Sequence, residues 1–181
     1  LSNHVTSFLD LAEGRVINTS STGTGSNPYG MITPVGNGWY RVSISGQPAT
    51  SGTALRLDLY LGVNASSQYT GDGTSGVYVW GGQLEVGETP SSYIPTGATT
   101  VTRAADVVEF APGLVAGEDF TFARASVGGY FDKFGLFKLA QADEPRIDFD
   151  PSSCTTICAG KGILIEESRT NLLRFSEQLT R

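Results

Sequence analysis

From Gly76 to Asp106 the chain reads GVYVWGGQLEVGETPSSYIPTGATTVTRAAD, an apolar run that gives way to a long polar strap. Val77 and Val79 take one parity and Tyr78 and Trp80 the other. Successive side chains on a strand point to opposite faces, so a run apolar at both parities predicts a central strand covered on both sides. Gly81-Gly82 then predicts a bulge or a close approach of backbone. Beyond Leu84 the Gly, Pro, Ser and Thr content predicts a loop running over the surface. Tyr93, Ile94 and Pro95 would anchor it by packing, and Arg103 and Asp106 would form an exposed local pair of little energetic weight.

The rest of the first hundred residues repeats the theme of short strands between turn signals. Residues 4 to 17 predict two strands around Asp10 and Glu13-Gly14. Asn18 to Gly30 is nearly all Ser, Thr, Gly and Asn and predicts an exposed loop. Met31 to Pro34 pairs briefly before a Gly36-Asn37-Gly38 turn. Gly38 to Ser45 is a strand with Tyr40, Val42 and Ile44 on one face. Leu55, Leu57, Leu59, Leu61 and Val63 alternate with Arg56, Asp58, Tyr60 and Gly62, the clearest strand with one buried face. This spacing predicts an all-β chain, an antiparallel β-sandwich or jelly roll. The 23 glycines and 17% charged residues among 181 fit that class better than a helical bundle.

From Val107 shorter elements follow. Val107 to Phe110 and Phe120 to Phe122 predict strands joined through 111–118. Tyr130-Phe131 and Leu136 to Leu139 predict a hairpin turning at Asp132 to Gly135. Arg146 to Asp150 and Gly162 to Ile165 predict another, with Cys154 and Cys158 in its connection. For those two cysteines a local disulfide, a bond to another subunit and two free thiols are all open; a zinc site would want more ligands than the C-x3-C pair and a distant His4 supply.

Three ordered stretches, Tyr78 to Glu85 (YVWGGQLE), Ser92 to Thr96 (SYIPT) and Thr102 to Asp106 (TRAAD), resemble the β-sandwich modules of tailed-phage head-spike and tail-fibre proteins, described as carbohydrate-binding-like. Arg124 to Ser126, Tyr130 to Asp132 and Gly162 to Leu173 (GILIEESRTNLL) resemble an element that often precedes such a module. The resemblance implies a sandwich over residues 1–106, missing its opening strands, and a β-hairpin connector and extended tail over 107–181 that looks like the start of a following module. It implies family-motif, structural roles for Trp80, Gln83, Glu85, Tyr93, Arg103, Asp106, Arg169 and Asn171. It further implies a structural virion protein on the exterior of a phage particle. Such a protein assembles with copies of itself, often as trimers, and with other virion proteins. The chain then reads as a fragment of a longer fibre, or as one whose tail completes a sandwich in its own or a neighbouring subunit. A short helix over Arg169 to Arg181 is the alternative for the tail.

Composition bounds the other functions. A net charge of −6 and a pI near 4.7 make a poor partner for a phosphate backbone or an anionic membrane. No run reaches the length of a membrane span. Trp39, Tyr60 and Tyr69 are the candidates for stacking on a sugar of a host surface polysaccharide, although large aromatics are more commonly core residues. Glu166 and Glu167 are adjacent, and adjacent residues on a strand face opposite ways, which is wrong for a glycosidase pair. His4 lies in no recognisable triad, and no nucleophile-elbow, zinc-protease or phosphate-loop motif occurs. Asp72 in Gly71-Asp72-Gly73 reads as a turn, not a calcium ligand. The sequence therefore predicts no enzyme, cofactor or metal.

Overall fold

In a computed structural model, residues 4–23, 25–47, 62, 70–110 and 120–178 are described. The described chain is all-β. It has twelve strands and one 3-10 turn, and no α-helix among the described residues. The strands form six two-stranded antiparallel sheets, and no larger sheet occurs among the described residues. The backbone divides into two compact units, Leu1–Val77 and Tyr78–Arg181. The strap pairs with the C-terminal segment, and both lie in the second unit.

In the first unit, strands β1 (His4–Asp10) and β2 (Arg15–Thr22) form one hairpin. Its turn is the predicted one: Asp10 Oδ1 accepts from the amides of Ala12 and Glu13, both at 3.1 Å, and Gly14 takes φ +62°. Strands β3 (Ser26–Pro34) and β4 (Tyr40–Gln47) form the second, turning at Gly36, Asn37 and Gly38, all at positive φ. The loop expected over Asn18 to Gly30 is largely strand. Thr19 there pairs with Ser7 across the β1–β2 ladder, their hydroxyls 3.0 Å apart. Composition underestimated this segment because β-branched and small hydroxyl residues are tolerated in a half-wet hairpin.

The two hairpins meet face to face at Gly30, where a methyl group would collide with Thr19 Oγ1 and Ser7 Oγ. Tyr40, Val42 and Ile44 do share a face, but Val42 and Ile44 keep about 40% and 42% of their surface exposed. No residue of this unit is buried among the described ones. The predicted strand over Leu55–Val63 lies outside the described residues apart from Gly62.

The second unit carries the buried core. Strand β5 (Val101–Arg103) pairs with β12 (Arg169–Asn171), so the strap and the tail share a sheet. Strand β6 (Val107–Phe110) pairs with β7 (Phe120–Ala123), β8 (Gly128–Phe131) with β9 (Phe137–Ala140), and β10 (Ile147–Asp150) with β11 (Ala159–Ile163). The β8–β9 and β10–β11 hairpins are the two predicted, the latter with its return strand beginning three residues earlier than expected, and β6 and β7 are the strands expected on either side of 111–118. At the β8–β9 turn Asp132 Oδ1 accepts from the amides of Phe134 and Leu136 at 2.9 and 3.0 Å, and Gly135 has φ +74°. The tail begins extended in β12 and no helix forms over its described part.

Two expectations are corrected here. Val77 to Trp80 is not a doubly covered strand: no ladder is assigned to it, and Tyr78 is 91% exposed. Apolar content at both parities cannot distinguish a central strand from an irregular segment. The strap is also more than a surface loop, since Ser91, Ile94, Thr96, Arg103 and Asp106 are all buried.

Candidate functional site

The most elaborate side-chain arrangement in the second unit is a buried cluster of three arginines and two carboxylates. Asp106 sits between them, its side chain fully buried. Arg124 Nη1 donates to Asp106 Oδ1 at 3.1 Å, and Arg146 Nη2 donates to Asp106 Oδ2. Arg146 Nη1 also reaches Glu166 Oε2 at 2.7 Å, where Arg103 Nη2 approaches to 3.6 Å. Arg103 Nη1 stands 3.9 Å from Asp106 Oδ2. The expected local pair therefore exists but is neither exposed nor isolated.

Each member is placed by its element. Arg103 ends β5, Arg124 directly follows β7, and Arg146 directly precedes β10. Asp106 closes the strap and Glu166 lies between β11 and β12. Most of the remaining guanidinium donors take backbone acceptors. Arg124 donates to the carbonyls of Ser126, Gln141 and Glu144 at 2.7, 2.6 and 3.1 Å, and Arg103 to that of Glu167 at 2.9 Å. Among the described residues Arg103 Nε and Arg146 Nε have no acceptor. A buried donor left unpaired raises the cost of desolvating these cations.

Burial alone would push the Glu166 carboxyl up. The Ser92 hydroxyl and amide, both donating at 2.6 Å, then Arg103 and Arg146, outweigh it, and the carboxyl lies below its ordinary value. Burial pulls the Arg103 guanidinium down, partly offset by Glu166 and Asp106. Asp106 Oδ2 also accepts from the Glu166 amide at 2.8 Å. Chemically, the cluster ties five chain segments together through charge-assisted hydrogen bonds.

A second polar clasp uses the other motif residues. Asn171, fully buried, makes four bonds. Its Oδ1 accepts from the amides of Leu84 and Leu173, both at 3.0 Å, and its Nδ2 donates to the carbonyls of Gly82 and Ile94 at 3.2 and 2.8 Å. Gln83 Oε1 accepts from the Ile94 amide at 2.8 Å, and Glu85 binds the Ser91 amide and hydroxyl, both at 2.7 Å. The Tyr93 hydroxyl meets Ser176 Oγ at 2.6 Å. Trp80 packs on Tyr93 and Phe137 with centroids 4.7 and 5.5 Å away, while remaining half exposed. Arg169 binds the Val86 carbonyl and the Glu167 carboxylate.

The structure thus brings Gln83, Tyr93 and Asn171 together, and Arg103 with Asp106. It adds Arg146 and Ser176, which sequence reasoning did not single out, together with Arg124, noted only as part of a resembling stretch, and Glu166, weighed only as a glycosidase carboxylate. Arg124, Glu166 and Ser176 lie within or beside a stretch noted for its wording and Arg146 does not, and no local pattern announces a partner 18 to 80 residues away. Trp39 is 45% exposed beside the β3–β4 turn, and Tyr60 and Tyr69 lie outside the described residues. Cys154 and Cys158 are joined in a disulfide. Asp72 accepts from the amides of Thr74 and Ser75 at 2.8 and 2.6 Å, a side-chain-capped turn as expected.

An open groove of about 320 Å³ is lined by Val86, Glu167, Ser168, Arg169, Thr170 and Leu172. It has no aromatic wall. Among the described residues no three His, Cys, Asp or Glu side chains gather as metal ligands. Comparison with family models, curated proteins and solved structures finds no match to this chain.

Proposed function

We propose that this chain is a structural component of a phage particle, a spike, fibre or decoration module of β-sandwich or jelly-roll type that works by assembling with copies of itself and other virion proteins. The observation that carries the assembly reading is the mismatch between what is buried and what is left open. Among the described residues the buried hydrophobic side chains are Ile94, Ala140 and Cys158, whereas Tyr29, Val86, Phe110, Phe134, Ile157 and Ile165 are each more than half exposed. Isolated two-stranded sheets are marginal in water, and a strand edge left open accepts another strand. The ordered wording of residues 78–106 and 124–173 supports the phage assignment.

Size-exclusion chromatography with light scattering tests the reading. A discrete oligomer, held below micromolar concentration, is the expected result; a monomer at hundreds of micromolar would remove it. A second reading, recognition of host surface glycan, is favoured by the half-exposed indole of Trp39. Glycan-array binding abolished by Trp39→Ala would select it.

A further inference from the structure

We propose that the Cys154–Cys158 disulfide is a redox latch that fastens the end of the β10–β11 hairpin onto the β8–β9 turn. The cysteines are separated by four positions, so the bridge closes only a small local loop. Its setting is what gives it reach. The Cys158 amide donates to the Lys133 carbonyl at 2.9 Å. Across from it, the side-chain position of Gly135 looks onto Cys154 Sγ at 2.9 Å, Cys158 Sγ at 3.3 Å and Pro151 Cα at 3.5 Å. The bridge therefore lies in a slot that exists because Gly135 has no side chain, and its φ of +74° also favours glycine.

The loop has little else to hold it there. Its remaining bonds are local: the Ala159 amide to Ser153 Oγ at 2.8 Å, and Ser153 Oγ to the Asp150 carbonyl at 2.7 Å. Thr155, Thr156 and Ile157 are exposed. Once unbonded, two sulfurs separate from covalent to van der Waals distance, and the slot over Gly135 is narrow enough that even an added methyl there would collide with Cys154 Sγ. Reduction would push the loop outward and release the Lys133 contact.

The two sulfurs are unequally reachable, because Cys158 is 4% exposed and Cys154 is an exposed residue. A thiolate of a dithiol reductant attacks Cys154 Sγ, forming a mixed disulfide, and Cys158 leaves as thiolate and takes a proton. The second thiol of the reductant then displaces Cys154, giving two protein thiols and one oxidised dithiol in a two-electron exchange. In an oxidising medium the latch is shut, and in a reducing one it opens.

Amide hydrogen exchange on the full chain, with and without dithiothreitol, is the test. Opening the latch should speed exchange at least tenfold at position 158 and across Phe134 to Leu136. The amides of Leu84 and Ile94, held by Asn171 and Gln83, should not change. The Cys154→Ser/Cys158→Ser double variant, without reductant, should reproduce the reduced pattern. Unchanged exchange at position 158 in a chain shown by mass to carry two free thiols would overturn the proposal. So would faster exchange spread equally to Leu84 and Ile94, which would make the bridge a support of the whole unit.

Discussion

The side-chain amide of Asn171 donates to the backbone carbonyl of Ile94 at 2.8 Å, across 77 residues of chain. With its other three bonds it joins the strap to the C-terminal tail and leaves none of its own polar atoms unpaired. This is a tertiary clasp made by a residue whose local neighbourhood, Thr170-Asn171-Leu172, says only that a strand is ending.

Asn171→Asp keeps the shape and replaces two donors with acceptors facing the Gly82 and Ile94 carbonyls. The loss should be about 3 kcal/mol, since a charge is buried against unpaired acceptors. Urea unfolding followed by fluorescence reads it, and a change under about 0.5 kcal/mol would contradict the clasp.

Asp106 is the hinge of the arginine cluster. Asp106→Asn leaves three buried guanidinium groups with one carboxylate, and a loss of about 3–5 kcal/mol is expected from breaking a buried pair on one side. Thermal unfolding should show the same ranking, with Asp10→Asn as a control of small effect, because its partner Arg15, 3.3 Å away, is solvent-exposed and the amide oxygen of Asn can still accept from the turn amides.

Acid should weaken the second unit through Glu166. Its folded value is depressed below the ordinary 4.5, so the stabilisation is complete above that pH and is lost as pH falls through the lower folded value. Denaturant midpoints should be flat from pH 7 to about 5 and fall below about 4.5. Glu166→Gln should flatten part of that fall; an identical acid limb in the variant would remove Glu166 from the account.

Gly129 is a packing requirement. A methyl there would lie 2.7 Å from the Phe137 ring and 2.8 Å from the Tyr93 carbonyl oxygen, and the carbonyl belongs to a strap held in place. Gly129→Ala should cost roughly 1–3 kcal/mol by overpacking. Gly97→Ala, with open space around the added methyl, is the matched control; equal midpoints for the two would contradict the packing argument.

Local chemistry made several elements legible. Asp10, Asp132 and the Gly36-Asn37-Gly38 run are turn signals whose side chains or φ preferences act within four residues, and the hairpins follow from them. Gln83, Tyr93 and Asn171 stand out in the sequence through wording alone, and nothing local names the partners their side chains take. The burial of Arg103 was not, because an arginine beside an aspartate looks the same whether water or two more arginines surround it. Val77 to Trp80 misled for the converse reason: hydrophobicity states that a side chain gains from cover and does not state where cover is found.

By itself the sequence determined the secondary-structure class, most of the turns and the β8–β9 and β10–β11 hairpins, since these depend on alternation and on backbone preferences a few residues long. Only the tertiary structure decided that β5 pairs with β12, that Asp106 gathers Arg124 and Arg146, and that the Cys154–Cys158 bridge rests on Gly135. Those choices turn on desolvation and hydrogen-bond satisfaction among residues far apart in the chain, and such energies exist only once the segments have been brought together.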